Sequence, residues 1–159
     1  MQLLSGTATT VSEYLELLGD SHCVLLDTRK TVPGLRLAQK YAVICGGGTN
    51  HRFGLDDAFL LKENHISAAG SIKDAILLAR THRPDMPVQV EVENIEELEE
   101  AIESGANSAL LDNFAMYELV QASKIAKNRI KTEASGNVSK ETIAETVSYT
   151  HLRAHETHE

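Results

Sequence analysis

Two cysteines in 159 residues are too few for a disulfide framework. Their positions inside apolar stretches, at Cys23 and Cys45, read as core packing in a reducing compartment. The sequence has no apolar run near the ~20 residues that cross a bilayer, and no basic start leading into an apolar segment and a small-residue cleavage site. Neither membrane insertion nor secretion is expected, so the expected location is cytoplasmic. The glycine-rich stretch at 46–48 is not followed by Gly-Lys-Ser/Thr, which excludes a Walker loop. Basic residues are outnumbered 15 to 23 by acidic ones, a formal charge of -8. That balance repels polyanions and excludes general binding to nucleic acid or anionic membranes.

What is there is a hydrophobic content of 42%, enough for the core of one modest domain. Charge is sorted along the chain. Between positions 29 and 62 lie Arg29, Lys30, Arg36, Lys40, Arg52 and Lys62 against only Asp56 and Asp57, whereas positions 91 to 103 hold seven glutamates and no base. The basic segment suits a small anionic ligand.

Short runs rich in Val, Leu and Ile mark strands at 24–26, 58–61, 88–92 and 109–111, with a weaker one at 131–134. Helical spacing follows Ser71 over 72–80 and Asn94 over 95–104, each with an N-capping side chain. Gly105 stops the second. Asn113 is expected to cap a helix over 114–128, and another helix lies at 11–18. Alternation of strand and helix predicts an α/β fold with parallel strands. Polar side chains fall at the strand ends: Asp27, Arg29 and Lys30, then Lys62, then Glu91 and Glu93, then Asp112, then Ser135. This is the layout of a β/α barrel, which gathers its chemistry at the C-terminal rim. Five units fall short of the ~250 residues of a complete barrel, so the expectation is a partial barrel over 1–147. Residues 148–159 have no continuing apolar periodicity and are expected to be an unstructured, non-native tail resembling translated adapter sequence. The His151, His155, His158 spacing within it is read as accidental.

In the segment VQVEVE, period-two alternation puts Val88, Val90 and Val92 on one face and Gln89, Glu91 and Glu93 on the other. Carboxylates facing a barrel axis need cations, metal-bound water or hydroxyls as partners. The alternative is structural: Glu93 begins a loop and Glu91 pairs with a lysine. Arg29 and Lys30, with four further cations on the next two units, point to an anion pocket rather than a solvated pair. Guanidinium groups grip carboxylates, and lysine suits phosphate as a point charge. The segment CGGGTNHRFGL offers Asn50, His51 and Arg52 beside a backbone that a ligand could approach. His65 and His82 stand without companions at metal-ligand spacing and are read as structural.

Taken in order, LSGTAT, LLDTRKTVPGLR, KYAVICGGGTNHRFGLDDAFLLKENH, VEVEN, LLDNF and SGNV closely resemble the quinolinate phosphoribosyltransferase family over residues 3 to 147. The resemblance implies a homodimer whose subunits join an N-terminal α/β sandwich domain to a barrel with fewer than eight strands. It implies transfer of a phosphoribosyl group from 5-phosphoribosyl 1-pyrophosphate to quinolinate, with magnesium, yielding nicotinate mononucleotide, pyrophosphate and carbon dioxide. By that resemblance Arg29, His51 and Arg52 bind the quinolinate carboxylates, and Lys30 and Lys62 line the anionic site. Glu91 and Asp112 meet ribose hydroxyls or magnesium-bound water, and Ser135 and Gly136 contact the 5-phosphate. Lys30, Lys62, Glu91 and Asp112 are the expected catalytic set. The sandwich domain and the last barrel strands of that family have no counterpart in these residues, so the isolated chain is expected to be poorly stable and weakly active. Two other readings remain: a molybdenum-transport-associated homologue of the same fold, and a fragment acting only in subunit association. A metal-dependent hydrolase using His51, His65, Glu91 and Asp112 is disfavoured by the cation density.

Overall fold

The computed structural model describes residues 2–136, 138–148 and 153–155. Helix α1 (Gln2–Leu18) leads into β1 (Leu25–Leu26), α2 (Arg36–Cys45), β2 (Phe59–Leu61), α3 (Glu63–Ala69), α4 (Ile72–His82), β3 (Val88–Val92), α5 (Ile95–Glu103), β4 (Ser108–Asp112), α6 (Met116–Ala126), β5 (Lys131–Ser135), α7 (Ile143–Ser148) and β6 (Arg153–His155). The strands form one sheet in the order β1-β6-β5-β4-β3-β2, parallel throughout. Leu26 also bridges Thr49 in parallel. Neighbours in sequence from β2 to β6 are neighbours in space, the arrangement of a partial β/α barrel.

Strand alternation sets the two faces. Val88, Val90 and Val92 are fully buried beneath the helices with Ala109, Leu111 and Ala134. Against them pack Ile72, Ala75, Ile76 and Ala79 of α4, Leu98 and Ala101 of α5, and Leu119 and Ala122 of α6. The positions between the buried valines and leucines, Leu60, Gln89, Glu91 and Leu110, turn to the other face and line a cavity.

The caps explain where helices begin. Ser71 accepts a hydrogen bond from the Asp74 amide and Asn94 from the Glu97 amide, as their sequence positions predict. Asn113 differs: α6 starts at Met116 and Glu118 Oε2 accepts the Ala115 amide instead, at 2.7 Å. Asn113 is held at φ 56°, in the left-handed region that asparagine tolerates better than most residues. Cys23 is half-buried, but Cys45 is exposed, because it ends α2 on the outward side with Tyr41 and Ile44.

Two features escape apolar periodicity. The short α3 sits between β2 and α4, and Lys62 at its start donates its amide to His65 Nδ1 at 3.1 Å, so His65 serves the helix end. Arg153–His155 pairs in parallel with both β1 and β5, where the sequence predicts no structure. Its place in the sheet is a matter of main-chain hydrogen bonds between two parallel neighbours, which need no apolar side-chain pattern. His151 and His158 lie outside the described residues.

The glycine run serves packing. A Cβ on Gly46 would lie 2.5 Å from Ala8 O and 2.7 Å from Val11 Cβ. One on Gly48 would lie 2.9 Å from Val43 Cγ1. The three glycines let α1 close onto the end of α2, and they are absent from the cavity lining.

Candidate active site

The strand ends converge on a cavity of about 530 Å³ lined by Arg29, Lys30, His51, Arg52, Lys62, Glu91, Asp112, Ser135 and Gly136, together with Thr28, Leu60, Gln89, Leu110 and Asn113. All nine residues singled out in the sequence stand on this one wall. The barrel explains the convergence: parallel strands deliver their C-terminal ends to the same rim, and register places Asp112 beside Ser135 and Glu91 one strand across from Leu110.

Cations dominate the side built from β1, the 49–52 segment and β2. The Nε atoms of Arg29 and Arg52 are buried with no hydrogen-bond partner among the described residues. Arg52 donates to Ala58 O at 3.1 Å. Its pKa is lowered, first by burial and then by the nearby Arg29 cation, against which Glu133 and Asp57 act in the opposite sense. Two guanidinium groups so close, with desolvated N–H donors, are suited to a bound anion.

Not all six cations of the basic segment serve the cavity. Lys40 is only 1% exposed, and its Nζ donates to Asp27 Oδ1 at 2.6 Å. The same carboxylate oxygen accepts the His51 amide at 2.7 Å. With its amide turned to donate, Asn50 reaches Asp27 Oδ2 at 2.8 Å and Lys40 O at 3.0 Å. Asp27 and Lys40 therefore shape the segment that presents His51 and Arg52. Arg36 is likewise structural, donating to Arg29 O at 3.3 Å, Thr31 Oγ1 at 3.3 Å and Phe53 O at 3.4 Å. The expectation of four further anion-binding cations on these units is corrected to two, Arg52 and Lys62, because a buried or main-chain partner takes Lys40 and Arg36.

The ends of the neighbouring strands β3 and β4 carry carboxylates. Lys62 Nζ donates to Glu91 Oε2 at 2.5 Å, with Lys62 half-exposed at the cavity mouth. The pairing of Glu91 with a lysine is thus seen, and that lysine itself lines the cavity. Glu93 lies beyond the strand, where its amide donates to Glu97 Oε2 at 2.9 Å. Asp112 Oδ2 accepts the Asn113 side-chain amide at 3.0 Å, and the Asn113 backbone N–H bonds Ser135 O at 2.8 Å. Gly136 follows at φ 74°, and a Cβ there would fall 2.0 Å from Asn113 Oδ1. Only glycine fits that close approach.

The sequence reading gave no site role to three residues. Glu133 is 3% exposed and its Oε2 lies 3.2 Å from His51 Nε2. Gln89 is 4% exposed on the cavity face. Asn113 joins the ends of β4 and β5. The alternation that identified Glu91 also selects Gln89 and, less visibly in the polar run KTEAS, Glu133. Among the described residues no group of three or more His, Cys, Asp or Glu side chains could hold a metal ion, and no helix is long and apolar enough to cross a membrane.

Comparison with known proteins adds the lineage. The family model described as quinolinate phosphoribosyl transferase, C-terminal domain, matches residues 7–152. A probable nicotinate-nucleotide pyrophosphorylase [carboxylating] of Bacillus subtilis is 45% identical over 144 residues, covering 90% of this chain and 50% of that protein. The nicotinate-nucleotide pyrophosphorylase [carboxylating] of Mycobacterium leprae is 40% identical over 144 residues, covering 89% and 51%. Among solved structures, the nicotinate-nucleotide pyrophosphorylase of Francisella tularensis superposes with a TM-score of 0.92 at 45% identity, covering 96% of this chain and 54% of that one. The chain spans about half the length of the curated relatives it matches.

Proposed function

Because the chain belongs to the quinolinate phosphoribosyltransferase family, C-terminal domain, we propose that it supplies the catalytic barrel for phosphoribosyl transfer to quinolinate with decarboxylation. The reaction would consume 5-phosphoribosyl 1-pyrophosphate and yield nicotinate mononucleotide, pyrophosphate and carbon dioxide. The observation that carries this reading is the pairing of a cationic wall, Arg29, Lys30, Arg52 and Lys62, with Glu91 and Asp112 across one cavity.

The chemistry follows from charge. Quinolinate is a dianion, and Arg29, His51 and Arg52 would bind its carboxylates and orient the ring nitrogen toward the anomeric carbon. As the bond from that carbon to the pyrophosphate oxygen breaks, positive charge develops on the ribose, and Glu91 would stabilise it at short range. Lys30 and Lys62 would offset the charge of the phosphate groups, Asp112 would meet the ribose hydroxyls, and Ser135 with the Gly136 backbone would hold the 5-phosphate. The quaternised ring then takes the electron pair left when the adjacent carboxylate departs as carbon dioxide, and that ring carbon gains a proton. The site mainly positions and neutralises.

Magnesium suits this donor set only indirectly. Two carboxylates on the cavity wall, with no three-ligand cluster among the described residues, match a cation carried mostly by phosphate oxygens and water. Glu91 and Asp112 would hold it through that water, and its positive charge would offset the negative charge of the leaving pyrophosphate. A cytoplasmic homodimer is the assembly we propose for the complete protein. Support for association comes from the exposed apolar stripe Leu37, Tyr41 and Ile44 on α2, a spacing that keeps all three on one helix face.

The test is quinolinate-dependent release of labelled carbon dioxide in the presence of 5-phosphoribosyl 1-pyrophosphate and magnesium, using this chain and a version extended to the full length of its relatives. Release from the extended version is expected. Arg29→Ala in it should raise the quinolinate requirement much more than the donor requirement. No release from either version, or equal effects of Arg29→Ala on both substrates, would overturn the assignment.

A further inference from the structure

The carboxamide of Gln89 has no role in the chemistry above, yet its setting singles it out. It lies on β3 one side-chain layer below Glu91, paired across the sheet with Leu60 and Ser108. Gln89 is 4% exposed, lines the cavity, and its Nε2 is buried with no hydrogen-bond partner among the described residues. Arg29 Nε and Arg52 Nε share that condition on the same wall. Three desolvated N–H donors thus stand around one space. Buried donors left unmade are costly and uncommon in folded proteins, so their concentration at a single cavity marks where an acceptor-rich ligand sits.

Resting on the proposed function, we propose that Gln89 is a specificity-determining residue that donates from Nε2 to a carboxylate oxygen of the bound pyridine dicarboxylate. The two guanidinium groups supply charge, which any anion satisfies. A neutral amide adds a directed donor without adding charge, so it discriminates by where an acceptor oxygen sits rather than by the total charge of the ligand. Leu60 beside it and Leu110, across from Glu91, offer apolar surface to an aromatic ring.

Gln89→Met keeps the side-chain volume and removes the donor. The version extended to the full length of the relatives would be titrated by calorimetry, with Gln89 and with Gln89→Met, against quinolinate and, separately, 5-phosphoribosyl 1-pyrophosphate with magnesium, and its urea denaturation measured without ligand. Quinolinate affinity is expected to fall about tenfold or more, as for loss of a hydrogen bond to a charged group, while donor affinity stays within about twofold. Ligand-free stability should be unchanged or higher, because an unpartnered polar group gives way to an apolar one; a purely structural role predicts a loss. In the extended version with Gln89 intact, the Gln89 side-chain amide resonances should shift when quinolinate is added. Quinolinate binding that is unchanged in Gln89→Met, or a silent Gln89 amide despite binding, would overturn this inference alone. Failure of the extended version with Gln89 intact to bind quinolinate would overturn it together with the proposed function.

Discussion

Removing either member of the Asp27–Lys40 pair should be among the most damaging changes available in this chain, and the two losses should be unequal. Lys40 is 1% exposed and the Asp27 side chain 8%. Breaking so buried a pair leaves a desolvated charge, a cost of about 3–5 kcal/mol. Lys40→Met leaves Asp27 with the His51 amide at 2.7 Å and the Asn50 amide at 2.8 Å, so about 3 kcal/mol is expected. It also removes the Lys40 ammonium from above the Phe53 ring, 4.9 Å from its centroid. Asp27→Ala leaves Lys40 with the His51 carbonyl at 3.4 Å and the Phe53 ring, neither of them charged, and strips the acceptor from two amides, which calls for about 5 kcal/mol. Against a total stability of roughly 5–15 kcal/mol, that change alone could unfold the chain. The pair Asp27→Leu with Lys40→Met removes both charges and should cost only about 1–3 kcal/mol, the orphaned amides of His51 and Asn50. Urea denaturation of the three variants, read as a double-mutant cycle, tests the ordering. Single losses below about 1 kcal/mol, a larger loss for Lys40→Met than for Asp27→Ala, or simple additivity would refute the view that these groups are one buried unit.

Two further outcomes are expected. Gly46→Ala drives a methyl group against Ala8 O and Val11 and should destabilise the chain by about 1–3 kcal/mol while quinolinate affinity of the folded protein stays unchanged; a selective loss of ligand binding would return the glycines to the site. Asp57 accepts the Phe53 amide at 2.5 Å and the Gly54 amide at 3.1 Å, and these hold its carboxyl below the ordinary value of 3.8, with the Gly54 bond the larger cause. A depressed pKa in the folded state means that the stabilisation is present above the ordinary carboxylate value and lost as pH falls through the folded one. Amide exchange at Phe53 and Gly54, corrected for its intrinsic pH dependence, should therefore become less protected as pH drops below about 4, and Asp57→Asn should flatten that response.

Much was legible locally because local rules suffice for it. The sequence by itself determined the parallel α/β alternation, since apolar runs of strand length and capped helices are written in adjacent residues. It also determined which face of β3 is core, since Val88, Val90 and Val92 share a period of two. The cavity-lining residues at the strand ends could be named because a β/α barrel sends every strand end to one rim, so strand-end position stands in for spatial position. Tertiary structure alone decided how the charges divide. Lys40 and Lys62 look alike in sequence, yet one is buried on Asp27 and the other stands half-exposed beside Glu91, because α2 packs Lys40 against Asp27 whereas Lys62 follows β2 at the cavity mouth. The glycine run reads equally as ligand cradle or packing seam until α1 is seen lying on it. Asn113 has the side chain of a helix cap, but it is held where the ends of β4 and β5 meet, its backbone N–H on Ser135 O. Burial and pairing depend on what folds against a residue from far along the chain, and no window of sequence contains that neighbour.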